Sequence, residues 1–179
     1  MVADLFAEHR VLAFDLETTG VNTKRDRIVQ FAFVGSGLDD EEIRVEELVY
    51  PQRQIPVEAS RIHGIYDVDV TGLADFSGHT EVISSLVEGS VIIGHNVRRF
   101  DIPFLGHEYS RAGMKAPRPV AVIDTLELAR RLKLPRPHNL GALCRRYGIN
   151  LTNAHTASAD AAATLLLLWR LMSDHPQPF

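Results

Sequence analysis

Five side chains in this 179-residue chain have the types and contexts to do chemistry together: Asp15 and Glu17, then Asp101, then His155 and Asp160. Four carboxylates gathered in one site would repel one another strongly. Divalent cations relieve that repulsion, and hard ions such as Mg²⁺ or Mn²⁺ prefer oxygen ligands. Two such ions bound by carboxylates are a general physical solution to cleaving a phosphodiester. The residues therefore point to a metal-dependent phosphodiester hydrolase, with Asp15, Glu17, Asp101 and Asp160 as metal ligands and His155 beside them.

The spacing of each pair carries a structural expectation. Asp15 and Glu17 lie two apart in VLAFDLE, which reads as a strand, so both project from one face. Aspartate is disfavoured in strands and adjacent same-face acids repel, so the arrangement is costly without a cation. Asp101 follows the apolar stretch VIIGHN, at the carboxyl end of a strand, where open α/β sheets place their ligands. Its alternative role is N-cap of a helix beginning at Ile102. His155 and Asp160 are five residues apart, roughly 140° around a helix. They share a site only if His155 lies on the loop before the helix and Asp160 in its first turns. Asp160 then stands as a lone acid before AAATLLLL, an expensive position unless something compensates the charge.

The elements that must hold these groups read as follows. Residues 11–17, 28–34, 43–50, 91–96 and 120–124 are expected strands, the first three joined by short links that suit antiparallel hairpins. Expected helices cover 76–88, 101–112 with Pro103 in the first turn, 125–132, 139–147 closed by Gly148, and 156–173. The segment 51–65, with its HGI at 63–65, reads as loop, and LPRPHN (134–139) as a linker. The last helix is apolar nearly all round and is expected to pack deeply against the sheet. The fold class is α/β: a mixed sheet of five strands, three antiparallel and then parallel, flanked by helices.

The whole chain, 1–179, is expected to form a single domain with its core at about 10–172, long enough to bury roughly 70% of its unfolded surface. Composition is globular, 45% hydrophobic and 23% charged. The net charge of −4 hides a strong asymmetry. Residues 1–97 hold 7 basic and 17 acidic residues, whereas 98–146 hold 11 basic and 4 acidic ones. That basic segment could contact phosphates, although each single residue reads as readily as a solvated helix face. The lone Cys144 excludes an intramolecular disulfide and reads as a buried small apolar residue. MVADLFAEHR lacks the regions of a signal peptide, and the run Leu165–Trp169 is too short to cross a bilayer. The expectation is a cytoplasmic protein without membrane contact, ending in a frayed tail at 173–179.

Taken together, the segments DLETTG (15–20), IHGI (62–65), GHNVRRFD (94–101), DT (124–125), NLGALCRRYGI (139–149) and HTASAD (155–160) resemble the motifs of the DEDDh exonucleases. This is the DnaQ-like group with a ribonuclease H-like fold, which includes the proofreading epsilon subunit of bacterial DNA polymerase III. The resemblance spans about 10–172 and fills all five catalytic positions. It implies 3′→5′ hydrolysis of terminal phosphodiesters at single-stranded or frayed DNA 3′ ends, in proofreading or repair, with release of 5′-mononucleotides. It implies two divalent ions, Mg²⁺ or Mn²⁺. Asp15, Glu17 and Asp160 would hold one with the attacking water, Asp15 would bridge to the second, and Asp101 would contribute from its outer shell. Neutral His155 would take the water's proton. Leu16, Thr18, Thr19, His63, Ile65, Asn96 and Phe100 would contact the substrate, with ordinary packing as the competing role for His63 and Phe100. Association with a DNA polymerase is the implied partnership. An exoribonuclease acting on RNA 3′ ends, a non-catalytic polymerase- or clamp-tethered module, and a small-molecule phosphodiesterase are the alternatives.

Overall fold

A computed structural model describes residues 2–39, 41–151 and 155–176. Its centre is a five-stranded sheet in the order β3-β2-β1-β4-β5, formed by β1 (Arg10–Thr18), β2 (Ile28–Ser36), β3 (Glu42–Leu48), β4 (Ser90–Gly94) and β5 (Ala121–Asp124). β1 pairs antiparallel with β2 and β2 with β3, whereas β4 runs parallel to both β1 and β5. The mixed sheet expected from the short early links and the later strand–helix alternation is therefore present. The β4 residues Ser90–Gly94 are all buried, as their unbroken apolar run requires of a strand covered on both faces.

Strand periodicity divides β1 between two layers. Leu12, Phe14 and Leu16 point to one face, where they join Phe31, Phe33, Ile83, Leu86, Phe104 and Tyr109 in the larger core cluster. This face is covered by α4 (Thr80–Val87) and α5 (Asp101–Arg111). Phe14 stacks on Phe33 with centroids 4.6 Å apart, an aromatic pair contributing about 0.5–1.5 kcal/mol beyond its area. Val11 and Ala13 point to the opposite face and pack with Val34, Ile93, Ala161 and Leu168. That face carries α8 (Ala157–Asp174), flanked by α6 (Thr125–Arg131) and α7 (Leu140–Arg146). Continuing the alternation, Asp15 and Glu17 must face α8, so the same periodicity that builds the core aims the acids at Asp160.

Three expectations are corrected. Residues 51–65 are not all loop: α2 (Val57–His63) buries Ala59, Ser60 and His63 and ends at Gly64, whose φ of 74° supplies the left-handed turn. It is followed by α3 (Asp67–Val70), and α1 (Val2–Glu8) precedes β1. These helices are too short or polar to show an apolar period. The 76–88 segment is a 3₁₀ turn, Phe76–His79, before α4 begins. As expected, α8 packs deeply against the sheet through Ala161 and Leu168, although its apolar sequence also leaves Leu166 52% and Trp169 41% exposed, with Trp169 edge-on to Phe6 of α1 at 5.3 Å. Finally, the tail expected to fray from 173 begins inside α8, since Ser173 and Asp174 are its last residues; 177–179 lie outside the described residues. Among the described residues no helix is long and apolar enough to cross a membrane.

Candidate active site

Asp15, Glu17 and Asp160 meet where β1 ends against the first turn of α8. One carboxylate oxygen from each lies within 4.8 Å of the others. The register between β1 and β2 slips by one residue at Glu17/Thr18, a local irregularity of the kind that re-aims strand ends beside active sites. Asp160 is fixed by the start of its helix, and that start is held unusually well. The Ala157 N–H donates to Gln30 Oε1 of β2 at 3.1 Å, the Ser158 N–H to Glu46 Oε1 of β3 at 3.0 Å, and the Ala159 N–H to Thr156 Oγ1 at 3.4 Å. Arg44 donates to Ser158 Oγ at 2.7 Å. The antiparallel hairpin thus caps two of the free N–H groups of α8 and the N-cap Thr156 a third; sequence reading missed the hairpin's part because Gln30 and Glu46 are 127 and 112 residues from their partners.

The electrostatics are those of acids crowded against one another. Burial, then the charges of Asp101, Asp160 and Glu17, push Asp15 well above the usual carboxylate range. Burial and the charges of Asp160 and Asp101 push Glu17 up to about 8. Asp160 is raised by burial, although the His155 N–H, donating to its Oδ2 at 3.3 Å, opposes the shift. Its other oxygen, Oδ1, is buried and has no hydrogen-bond partner among the described residues. An orphaned carboxylate oxygen within an oxygen-only donor set fits a hard divalent ion, so the residues present suit Mg²⁺ or Mn²⁺.

Asp101 is the first residue of α5, buried to 3% exposure and outside the close triplet, but its charge acts on both Asp15 and Glu17. Burial raises it to about 8, with the Asp124 charge adding to the rise and backbone N–H groups opposing it. The N-cap position of α5 belongs to Phe100, so Asp101 stands at the first helical residue and not in the competing N-cap place. The turn that delivers it is built by Asp124, a residue the sequence showed only as part of a DT motif. Asp124 accepts from the N–H groups of Asn96 at 2.9 Å and Arg98 at 3.2 Å, and from Leu126 at 3.0 Å at the start of α6. Asn96 takes a φ of 67° in that turn.

His155 is exposed, with a φ of 71°, just before α8, as its spacing from Asp160 demanded; residues 152–154 lie outside the described residues. It and Asp160 share the wall of a cleft of about 660 Å³ whose opposite side includes Leu140, Cys144 and Arg145 of α7. The substrate candidates are distributed. His63 is buried, its Nδ1 accepting from the Ile65 N–H at 3.0 Å, and it stands close enough to feel the charge of His155. Burial lowers its pKa and the His155 charge adds to that, with the Thr18 carbonyl opposing. Thr18 Oγ1 donates to the Gly20 carbonyl at 2.7 Å, and Thr19 Oγ1 accepts from the Arg27 N–H at 3.0 Å. Leu16 and Ile65 are packed in apolar clusters, and Phe100 lies 4.9 Å from Phe104.

The exonuclease family model (RNase T) matches residues 12–168, a range that contains all five of the residues first singled out. The chain is 30% identical over 177 residues to the DNA polymerase III epsilon subunit of Treponema pallidum, covering 96% of this chain and 81% of that protein. It is 34% identical over 170 residues to PolC-type DNA polymerase III of Lacticaseibacillus paracasei, covering 92% of this chain but 11% of that polymerase. The chain therefore spans about a tenth of the length of its PolC-type relatives. Exonuclease I of E. coli, solved with a dT13 oligonucleotide, superposes with a TM-score of 0.82 at 23% identity over 96% of this chain and 42% of that one, which establishes the shared ribonuclease H-like fold. On the strength of the match across 12–168 and of the epsilon-subunit relationship along nearly its full length, this chain belongs to the DnaQ-like, DEDDh exonuclease family.

Proposed function

We propose that this protein is a 3′→5′ exonuclease that removes 5′-mononucleotides from single-stranded or frayed DNA 3′ ends, in proofreading or repair within the cytoplasm. The observation that carries this reading is the triplet Asp15, Glu17 and Asp160, acids held within reach of one another with no lysine or arginine ion pair among the described residues and one buried oxygen left bare. These three would hold two divalent ions, Mg²⁺ or Mn²⁺, with Asp101 adding negative charge behind them. Bound there, the ions would supply an activated water and would stabilise the entering and leaving oxygens of the diester. His155, at the mouth of the cleft, would accept the proton of the attacking water, the general-base work for which an imidazole is the commonest side chain. Thr18, Thr19 and His63 flank the carboxylates and would seat the terminal nucleotide; Leu16, Ile65, Asn96 and Phe100 would shape the pocket around it.

The epsilon-subunit and PolC-type relatives support attachment to a replicative polymerase, and the oligonucleotide in the exonuclease I structure supports a single-stranded DNA substrate. The deciding experiment is product analysis on end-labelled DNA, the matching RNA and a mispaired duplex, with Mg²⁺, Mn²⁺ or chelator. Mononucleotides should leave from the 3′ end of DNA and not in chelator. Release from the 5′ end, or undiminished release in chelator, would refute the reading. Faster shortening of RNA would favour the exoribonuclease alternative.

A further inference from the structure

We propose that the strand entering the catalytic cleft continues into a second cavity, where Arg130 and Arg136 bind its backbone phosphates; this rests on the exonuclease reading. The second cavity, of about 590 Å³, lies between the turn after β4, α6 and the segment leading into α7. It shares Asn139 and Leu140 with the cleft that holds His155 and Asp160, so the two hollows are neighbours across one residue pair. A strand seated at the carboxylates can reach it without leaving the surface.

Its charge is what selects a polyanion. No acid lines it among the described residues, and both arginines are exposed. Neither makes an ion pair among the described residues. The acids nearby in sequence are occupied: Glu127 pairs with Arg98 at 3.4 Å, and Asp124 accepts from backbone N–H groups. Unpaired guanidinium groups are the side chains best matched to phosphate. Between them Leu126, Pro137 and Leu140 offer apolar surface. Alternating charge and apolar surface is the pattern that single strands recognise, with phosphates on the cations and base faces on the apolar groups.

The test compares the protein with Arg130→Ala/Arg136→Ala in two assays. Fluorescence anisotropy of a long labelled oligothymidylate in EDTA reads binding without cleavage. Hydrolysis of the p-nitrophenyl ester of thymidine 5′-monophosphate with Mg²⁺ reads the catalytic centre without the second cavity. The variant should bind the oligonucleotide about tenfold more weakly, and its log K against log salt slope should be shallower by about 1.4, two contacts at about 0.7 each. Ester turnover should stay within about twofold, and Arg130→Lys/Arg136→Lys should restore the slope. Unchanged oligonucleotide affinity and slope would overturn the proposal, as would an equal loss on the ester or a lysine variant that fails to restore the slope. If the wild-type protein hydrolyses neither ester nor strand yet the variant loses strand affinity, the groove stands and the exonuclease reading falls.

Discussion

Glu108 and Glu17 are both acids withdrawn from water, and the fold treats them in opposite ways. Glu108, 1% exposed on α5, accepts from Arg27 Nε at 2.8 Å and Nη2 at 3.0 Å and from the Ile28 N–H at 3.2 Å, with Arg111 at 3.3 Å. Its charge is answered entirely within the chain. Glu17 has other acids for neighbours and is driven up to about 8. A buried acid that the chain compensates holds the fold together; one left uncompensated costs stability until a ligand arrives.

That contrast predicts opposite outcomes for two substitutions. Asp15→Asn should lower turnover by about three orders of magnitude, because several kcal/mol of transition-state stabilisation go with the metal. The same variant should melt higher than wild type in EDTA, by about 2–4 °C for each 1 kcal/mol of repulsion relieved. Glu108→Ala should do the reverse. Leaving Arg27 and the Ile28 N–H without their acceptor should destabilise the protein by about 3–5 kcal/mol in denaturant titration, with kcat of the folded fraction retained. A Glu108 variant that is stable but inactive, or an Asp15 variant that is active, would erase the distinction.

The difference between these two regions also explains what the sequence could reveal. The strand period of VLAFDLE placed Asp15 and Glu17 on one face, and the five-residue gap correctly put His155 ahead of α8 and Asp160 in its first turn. Both are local properties of the chain. The supports were not legible, because they are single side chains reaching across the fold: Asp124 onto the 94–101 turn, Gln30 and Glu46 onto the start of α8, Arg27 onto Glu108. The short helix Val57–His63 was hidden for a different reason, since one buried turn in a polar segment has no period to read. Resemblance to a family filled in roles for the site residues, but not the groups that hold them in place.

The supports offer a smaller test. Glu46→Ala should weaken Mn²⁺ binding about tenfold by loosening the turn that carries Asp160, while Glu46→Gln, which keeps an acceptor, should lose less. The protonation of the acids gives another. From about pH 4 to about pH 8 the folded, metal-free chain retains protons on Glu17 and Asp101 that the unfolded chain has already released. Its stability in EDTA should therefore fall as pH rises through that window. Metal binding requires the deprotonated acids, so Mn²⁺ should raise the melting temperature more near pH 8 than near pH 6. The slightest effect concerns Cys144, whose buried thiol is pushed up to about 11 and should alkylate slowly until the protein unfolds.

The most direct measurement is calorimetric titration of Mn²⁺ into EDTA-stripped protein near pH 7, repeated in buffers of different ionisation heat and with Asp15→Asn. Binding in the wild type, with protons released into the buffer, and its loss in the variant is the predicted result. Binding without proton release, equal binding by the variant, or no binding would contradict the claim that crowding raises the proton affinity of these acids until a metal takes the protons' place.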